Sequence, residues 1–138
     1  MSHISLIPES PIDVLAVGAH PDDLEILCGG TLAKLAKTGA KVAILDLTNG
    51  EPTPRGTLLQ REREARLAAE ILGIPLRFNA ELPNRILMDC PEHRFRLATW
   101  FRKLRPKVLL GIAGRTVAAS PDHYQAQLLI ESSRFCSQ

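Results

Sequence analysis

Three short polar clusters in this 138-residue chain carry residue types able to hold a divalent cation: Ala19-His20-Pro21-Asp22-Asp23, Thr48-Asn49-Gly50-Glu51 and Ser120-Pro121-Asp122-His123. Imidazole nitrogens and carboxylate oxygens are common zinc ligands. His20 and Asp23 stand three apart, so across a strand-to-helix corner they can converge on one point. His123 can bring a second imidazole to it. Two histidines and one carboxylate leave a coordination position open, as catalytic rather than structural zinc sites do. Zinc lowers the pKa of a bound water to about 7, and Asp22, beside the ligands without being one, would be the general base. The plainer alternative makes either aspartate an N-cap and His20 a loop residue, with Asp122 a second N-cap and His123 a surface imidazole.

Three apolar runs are placed to carry these clusters: Ile12–Gly18, Lys41–Leu47 and Lys107–Ile112. Continuous apolar runs of this length suit parallel strands covered on both faces. Between them lie helical patterns. Asp23 to Thr38 keeps Leu24, Cys28, Leu32, Leu35 and Ala36 on one stripe before Gly39, with Pro21 fixing φ at the helix start. Gly29-Gly30 inside that stretch implies close packing on the sheet or an irregular first turn. Thr57 and Gln60 have capping-box spacing ahead of an Ala65, Ala68, Ala69 and Leu72 stripe, which Gly73 and Pro75 end. Further helices are expected from near Pro91 to before Pro106 and from about Asp122 to Phe135. The order strand, helix, strand, helix, short segment, helix, strand, helix implies a three-layer α/β domain with a mainly parallel sheet and helices on both faces. Ligands bind such sheets at the carboxyl ends of the strands, where the three clusters fall. The chain stops after an amphipathic helix with no closing strand, so either the sheet is small or the fold is truncated at its C-terminus.

Composition narrows the classes. The length suits one domain over residues 1–138. With 45% apolar residues and a net charge of +2 (17 Lys+Arg less 15 Asp+Glu), the chain is not of the disordered type and gives no electrostatic reason to expect nucleic acid. No apolar run approaches the ~20 residues of a membrane span, and Met1–Pro11 lacks the pattern of a leader. Cys28, Cys90 and Cys136 form no CxxC pair, which suits a reduced, cytoplasmic protein. Asp46, ending the second strand, superficially matches the ribose-binding acid of a dinucleotide fold, but no GxGxxG follows the first strand.

Taken together, Ala19-His20-Pro21-Asp22-Asp23, Gly29-Gly30-Thr31-Leu32-Ala33, Leu47-Thr48-Asn49-Gly50-Glu51 and Pro121-Asp122-His123 resemble the LmbE/PIG-L family of zinc-dependent de-N-acetylases. Arg61-x-x-Glu64, Ile71-Leu72-Gly73-Ile74 and Leu82-Pro83-Asn84-Arg85 agree with it. The resemblance implies a Rossmann-like fold, of which this chain covers the N-terminal part. It also implies hydrolysis of the acetamide of an N-acetylglucosamine-type sugar, a small-molecule substrate. By it, His20, Asp23 and His123 hold zinc, with another divalent ion such as Fe2+ as the alternative. Asp22 is then the general base and Asp122 orients a catalytic group. Arg61 matches a position that contacts substrate, and Asn84, also placed on the substrate side, falls where many members carry Asp; a solvated Arg61 paired with Glu64 is the plain alternative. Glu51 and Arg55 follow the second strand, and Glu51 is either a pocket residue or a loop cap.

One departure matters. The family pattern His-Pro-Asp-His reads Ser120-Pro121-Asp122-His123 here. The missing imidazole is the one expected to stabilise the oxyanion or protonate the amine, and losing such a donor costs about 10²–10³ in rate. Ser120 would be a weak neutral replacement. The competing expectation is therefore a member that binds metal or sugar without catalysing. A truncated sheet would also leave an apolar edge, through which the chain could form a homo-oligomer.

Overall fold

Two runs rich in β-branched residues and leucine form the central strands, Val14–Gly18 (β1) and Val42–Thr48 (β2), with every residue buried. They lie in the computed structural model, which describes residues 8–138, so most of the Met1–Pro11 segment falls outside the described residues. β2 is flanked by Leu76–Leu82 (β3) and β1 by Val108–Gly111 (β4), giving a sheet in the order β3-β2-β1-β4. All three pairings are parallel, with Val14 opposite both Val42 and Val108. Four helices alternate with the strands: Asp23–Lys37 (α1), Leu58–Leu72 (α2), Pro91–Leu104 (α3) and Pro121–Cys136 (α4).

The period of two along each strand sends alternate side chains to opposite faces. Leu15, Val17, Ala43, Leu45, Leu47, Phe78 and Ala80 pack with Leu97, Phe101, Leu104, Ala126, Leu129 and Ile130 of α3 and α4. Val14, Ala16, Val42 and Ile44 pack with Leu24 and Leu32 of α1, joined by Leu72 of α2. Burying side chains such as Leu45 and Leu129 contributes about 1.5–3 kcal/mol each, so both faces are firmly covered. The three-layer parallel α/β expectation is met.

Several local expectations need correction. The short segment between the second and third helices is the strand β3. Its sequence Leu-Arg-Phe-Asn-Ala-Glu-Leu alternates rather than running apolar, because it lies at a sheet edge. Arg77 on its polar side forks both carboxylate oxygens of Asp46, at 2.7 and 3.1 Å, and also reaches Glu25. Asp46 lies within β2 rather than at its end, and this pairing removes any likeness to a ribose-binding acid. In α1, Cys28 has non-helical angles (φ −147°, ψ 16°), so the glycine pair marks an irregular break after the first turn. Pro21 stands outside the helix, ahead of Asp22 at the N-cap. Thr57 accepts a bond from the Gln60 N–H at 3.2 Å, but the Gln60 side chain turns to Glu64, so only half of the capping box forms.

Candidate metal centre

The strand order places a topological switch at β1. The connections β1 to β2 and β2 to β3 step one way, and the connection from β3 to β4 returns to the far side of β1. The crevice between the carboxyl ends of β1 and β4 is where open α/β sheets bind ligands. The β1–α1 corner delivers His20 and Asp23 there, and the first turn of α4, after β4, delivers Asp122 and His123.

Ligand atoms of His20, Asp23 and His123 all lie within 4.8 Å of one another. Nδ1 of His20 is 3.3 Å from Nε2 of His123, which is 3.0 Å from Oδ1 of Asp23. The same Nδ1 is 3.4 Å from Asp23 Oδ2. A tetrahedral ion with bonds of about 2.0–2.1 Å has ligand–ligand edges of about 3.3 Å, so the donor set and its spacing fit zinc. Burial disfavours the charged form of His20, but its bonds to Asp23 and Asp122 outweigh this and hold its pKa above the ordinary histidine value. Burial also pushes Asp23 upward; the side-chain and backbone bonds from His20 and the field of His123 prevail, and its pKa is lowered. The site therefore favours a negative Asp23 carboxylate facing a positive His20, a charge that a divalent cation can replace.

Asp122 is 2% exposed and is not the helix cap. That place belongs to Ser120, whose exposed hydroxyl accepts from the Asp122 N–H at 3.3 Å. Asp122 Oδ2 lies 3.1 Å from His20 Nε2 and accepts from the Arg85 N–H at 2.6 Å, while Oδ1 accepts from the Leu87 N–H at 3.1 Å. A carboxylate accepting here holds a proton on Nε2, so that Nδ1, which faces Asp23 and His123, is the ring nitrogen that would ligate a cation. The neighbouring aspartates of the first cluster differ sharply: Asp23 is buried in the cluster, whereas the Asp22 side chain is 57% exposed.

The Arg61 guanidinium lies 3.8 Å from Asp22, and it packs so close to Gly50 that a Cβ there would stand 3.0 Å from Arg61 Nε. The expected partner of Arg61, Glu64, instead takes a bond from Gln60. Among the described residues, five buried side-chain polar atoms have no partner, and three belong to the expected substrate-side residues: Glu51 Oε1, Arg61 Nε and Asn84 Oδ1. Leaving such atoms unpaired costs about 1–3 kcal/mol each, and a polar ligand is one group that would satisfy them. The loop-cap alternative for Glu51 belongs to its neighbour, since Asn49 Oδ1 accepts from the Glu51 N–H at 2.9 Å. Arg55 is exposed. Two surface hollows of about 290 and 460 Å³ lie beside α2 and beside the ends of α3 and α4, and neither includes a cluster residue.

Two contributions escaped the sequence reading. One is the pair of main-chain N–H groups of the β3–α3 loop that grip Asp122. The other is Gly114, whose hydrogen in place of a side chain lets the β4–α4 loop lie on the His123 backbone; a Cβ there would stand 2.6 Å from His123 Cβ and overlap its carbonyl. A glycine two residues beyond an apolar strand was the only trace of it.

Comparison with known proteins agrees with this geometry. The chain is 34% identical over 131 residues to a diacetylchitobiose deacetylase of Thermococcus kodakarensis, covering 88% of this chain and 49% of that protein. It superimposes on the conserved protein TT1542 of Thermus thermophilus with a TM-score of 0.84 at 42% identity, covering 88% and 55% of the two chains. It superimposes on GalB, the 4-carboxy-2-hydroxymuconate hydratase of Pseudomonas putida KT2440, with a TM-score of 0.78 at 26% identity, covering 92% and 57%. The chain thus spans about half the length of the relatives it matches. The family model described as PIG-L, GlcNAc-PI de-N-acetylase, matches residues 15–132, and the chain belongs to that family.

Proposed function

We propose that the protein to which this chain belongs is a metal-dependent hydrolase that removes an N-acetyl group from an amino-sugar derivative of the N-acetylglucosamine type. The observation that carries the reading is the convergence of His20 Nδ1, an Asp23 oxygen and His123 Nε2 at the switch crevice. Membership of a family named for de-N-acetylation supports the choice of reaction. A hydratase shares this fold, so the choice of reaction rests on the residues of the site and not on the fold alone.

His20, Asp23 and His123 would hold zinc, or another divalent ion such as Fe2+. When bound, the ion supplies Lewis acidity, acidifying water and polarising the amide carbonyl. Asp22 takes a proton from the attacking water as its oxygen bonds to the acetyl carbon, and passes that proton to the nitrogen as the C–N bond breaks. The products are acetate and a free amine. Asp122 orients His20 through Nε2. Ser120, already committed as an N-cap acceptor, retains one O–H to offer the oxyanion. The unpaired atoms of Glu51, Arg61 and Asn84 meet polar groups of the sugar. Residues 1–138 act as one domain of this enzyme. Among the described residues no helix is long and apolar enough to cross a membrane, and we place the protein in the cytoplasm on its unpaired cysteines.

Acetate release from N-acetylglucosamine derivatives by the zinc-loaded full-length protein tests the reading. Asp22→Asn should keep zinc and lower turnover by about 10²–10⁴. Undiminished turnover would remove Asp22 from the role of base. A second reading, a family member that binds without catalysing, is favoured by one specific feature, serine rather than histidine at position 120.

A further inference from the structure

We propose that Arg85 is a positioning residue of this centre acting through its main chain, and that its left-handed conformation turns the β3–α3 loop so that two N–H groups clasp Asp122 and thereby fix the ring of His20. The inference rests on the metal-hydrolase reading above.

Arg85 has φ +66°, a region that side-chain-bearing residues seldom adopt. Its side chain is exposed, so burial does not explain the conformation. What the conformation achieves is local. The Arg85 N–H reaches Asp122 Oδ2 at 2.6 Å, and the chain then curves so that the Leu87 N–H reaches Oδ1 of the same carboxylate at 3.1 Å. Concave turns of this kind, with N–H groups aimed at one anion, are built around left-handed residues. Leu87 anchors the far side of the turn, its side chain 3% exposed in the core shared with α3 and α4. Asp122 is held by both oxygens, and only then does Oδ2 stand 3.1 Å from His20 Nε2. That contact favours a proton on Nε2, and Nδ1 faces His123 and Asp23. Residues that orient a ligating histidine are commonly worth 10–100-fold in metal affinity. Arg85 stands one step further out, and its backbone rather than its guanidinium carries the effect.

Substitutions at Arg85 separate main chain from side chain. Arg85→Gly adopts φ +66° freely and lacks the guanidinium. Arg85→Val resists that region because of its β-branch. Zinc affinity is measured by competition with a chromophoric chelator, and the His20 tautomer by ¹⁵N NMR on the metal-free protein, with far-UV circular dichroism confirming the fold. Arg85→Gly should match the native protein in both. Arg85→Val should weaken zinc by about 10–100-fold and lose the Nε2–H signature. If Arg85→Val does not fold, Arg85→Ala takes its place, with a smaller loss in the same direction. Equal behaviour of all variants overturns the proposal, and so does a loss in Arg85→Gly as large as in Arg85→Val. If the native protein takes up no zinc, the metal reading fails instead. The tautomer then decides the role of Arg85: Nε2–H in native and Gly but not Val supports it, and no difference overturns it.

Discussion

His20 and His123 are 103 positions apart in the chain, yet their facing ring nitrogens lie 3.3 Å apart. Neither helix nor strand periodicity joins them. The sheet order does, because β4 returns beside β1 and sets the start of α4 against the β1–α1 corner. Asp23 closes the triangle from one side, and Asp122 holds His20 from the other.

Ser120 separates the catalytic from the binding-only reading. It caps α4 two residues before Asp122, so its substitution by histidine introduces a stronger donor beside the centre. Ser120→His should raise deacetylase turnover by about 10²–10³, the usual worth of an oxyanion donor. Loss of the cap should lower stability by about 1 kcal/mol. Turnover unchanged in a folded, zinc-loaded variant would argue against a missing donor as the limit on rate.

Gly114 should tolerate no side chain. A methyl there overlaps the His123 backbone, so Gly114→Ala must shift the first turn of α4 or the loop. Overpacking of this kind costs about 1–3 kcal/mol. Thermal denaturation should show that loss, and zinc titration should show weaker binding, because the displaced turn carries His123. Native zinc affinity in Gly114→Ala would mean that the loop yields without moving the ligand.

The buried Asp46–Arg77 pair predicts a pH signature of its own. Burial raises the Asp46 pKa to about 6 despite the bonds from Arg77, with Glu25 and Asp23 adding in the same direction. A carboxyl raised on folding contributes stability that is complete below its unfolded pKa near 4 and is lost as pH rises through about 6. Denaturant titrations between pH 4 and 7 should therefore show the native chain losing stability that Asp46→Asn does not lose over the same window. Parallel profiles would contradict the raised value.

The sequence made some of this legible and hid the rest for physical reasons. Buried parallel strands must be apolar on both faces, so β1 and β2 stood out as continuous runs. β3 did not, because an edge strand can place Arg77 toward a buried partner and still cover the core with Phe78 and Ala80. His20, Asp23 and His123 were legible as ligand types following strands. The burial of Asp122 was not, since the N–H groups that satisfy it belong to Arg85 and Leu87, and backbone donors leave no mark on side-chain identity. Arg61 could be placed on a helix by spacing, but its turn toward Asp22 rather than Glu64 depends on where Gly50 passes.

The central claim is that His20, Asp23 and His123 form one metal site, and metal content per chain tests it most directly. Elemental analysis of the folded, zinc-equilibrated full-length protein should find one zinc per chain at about pH 7.5 and none in His123→Ala. Occupancy should fall as the pH is lowered, because the raised pKa of His20 makes protons compete with the ion. A folded native protein that takes up no zinc or other divalent ion, or a His123→Ala variant that binds it equally well, would contradict the assignment.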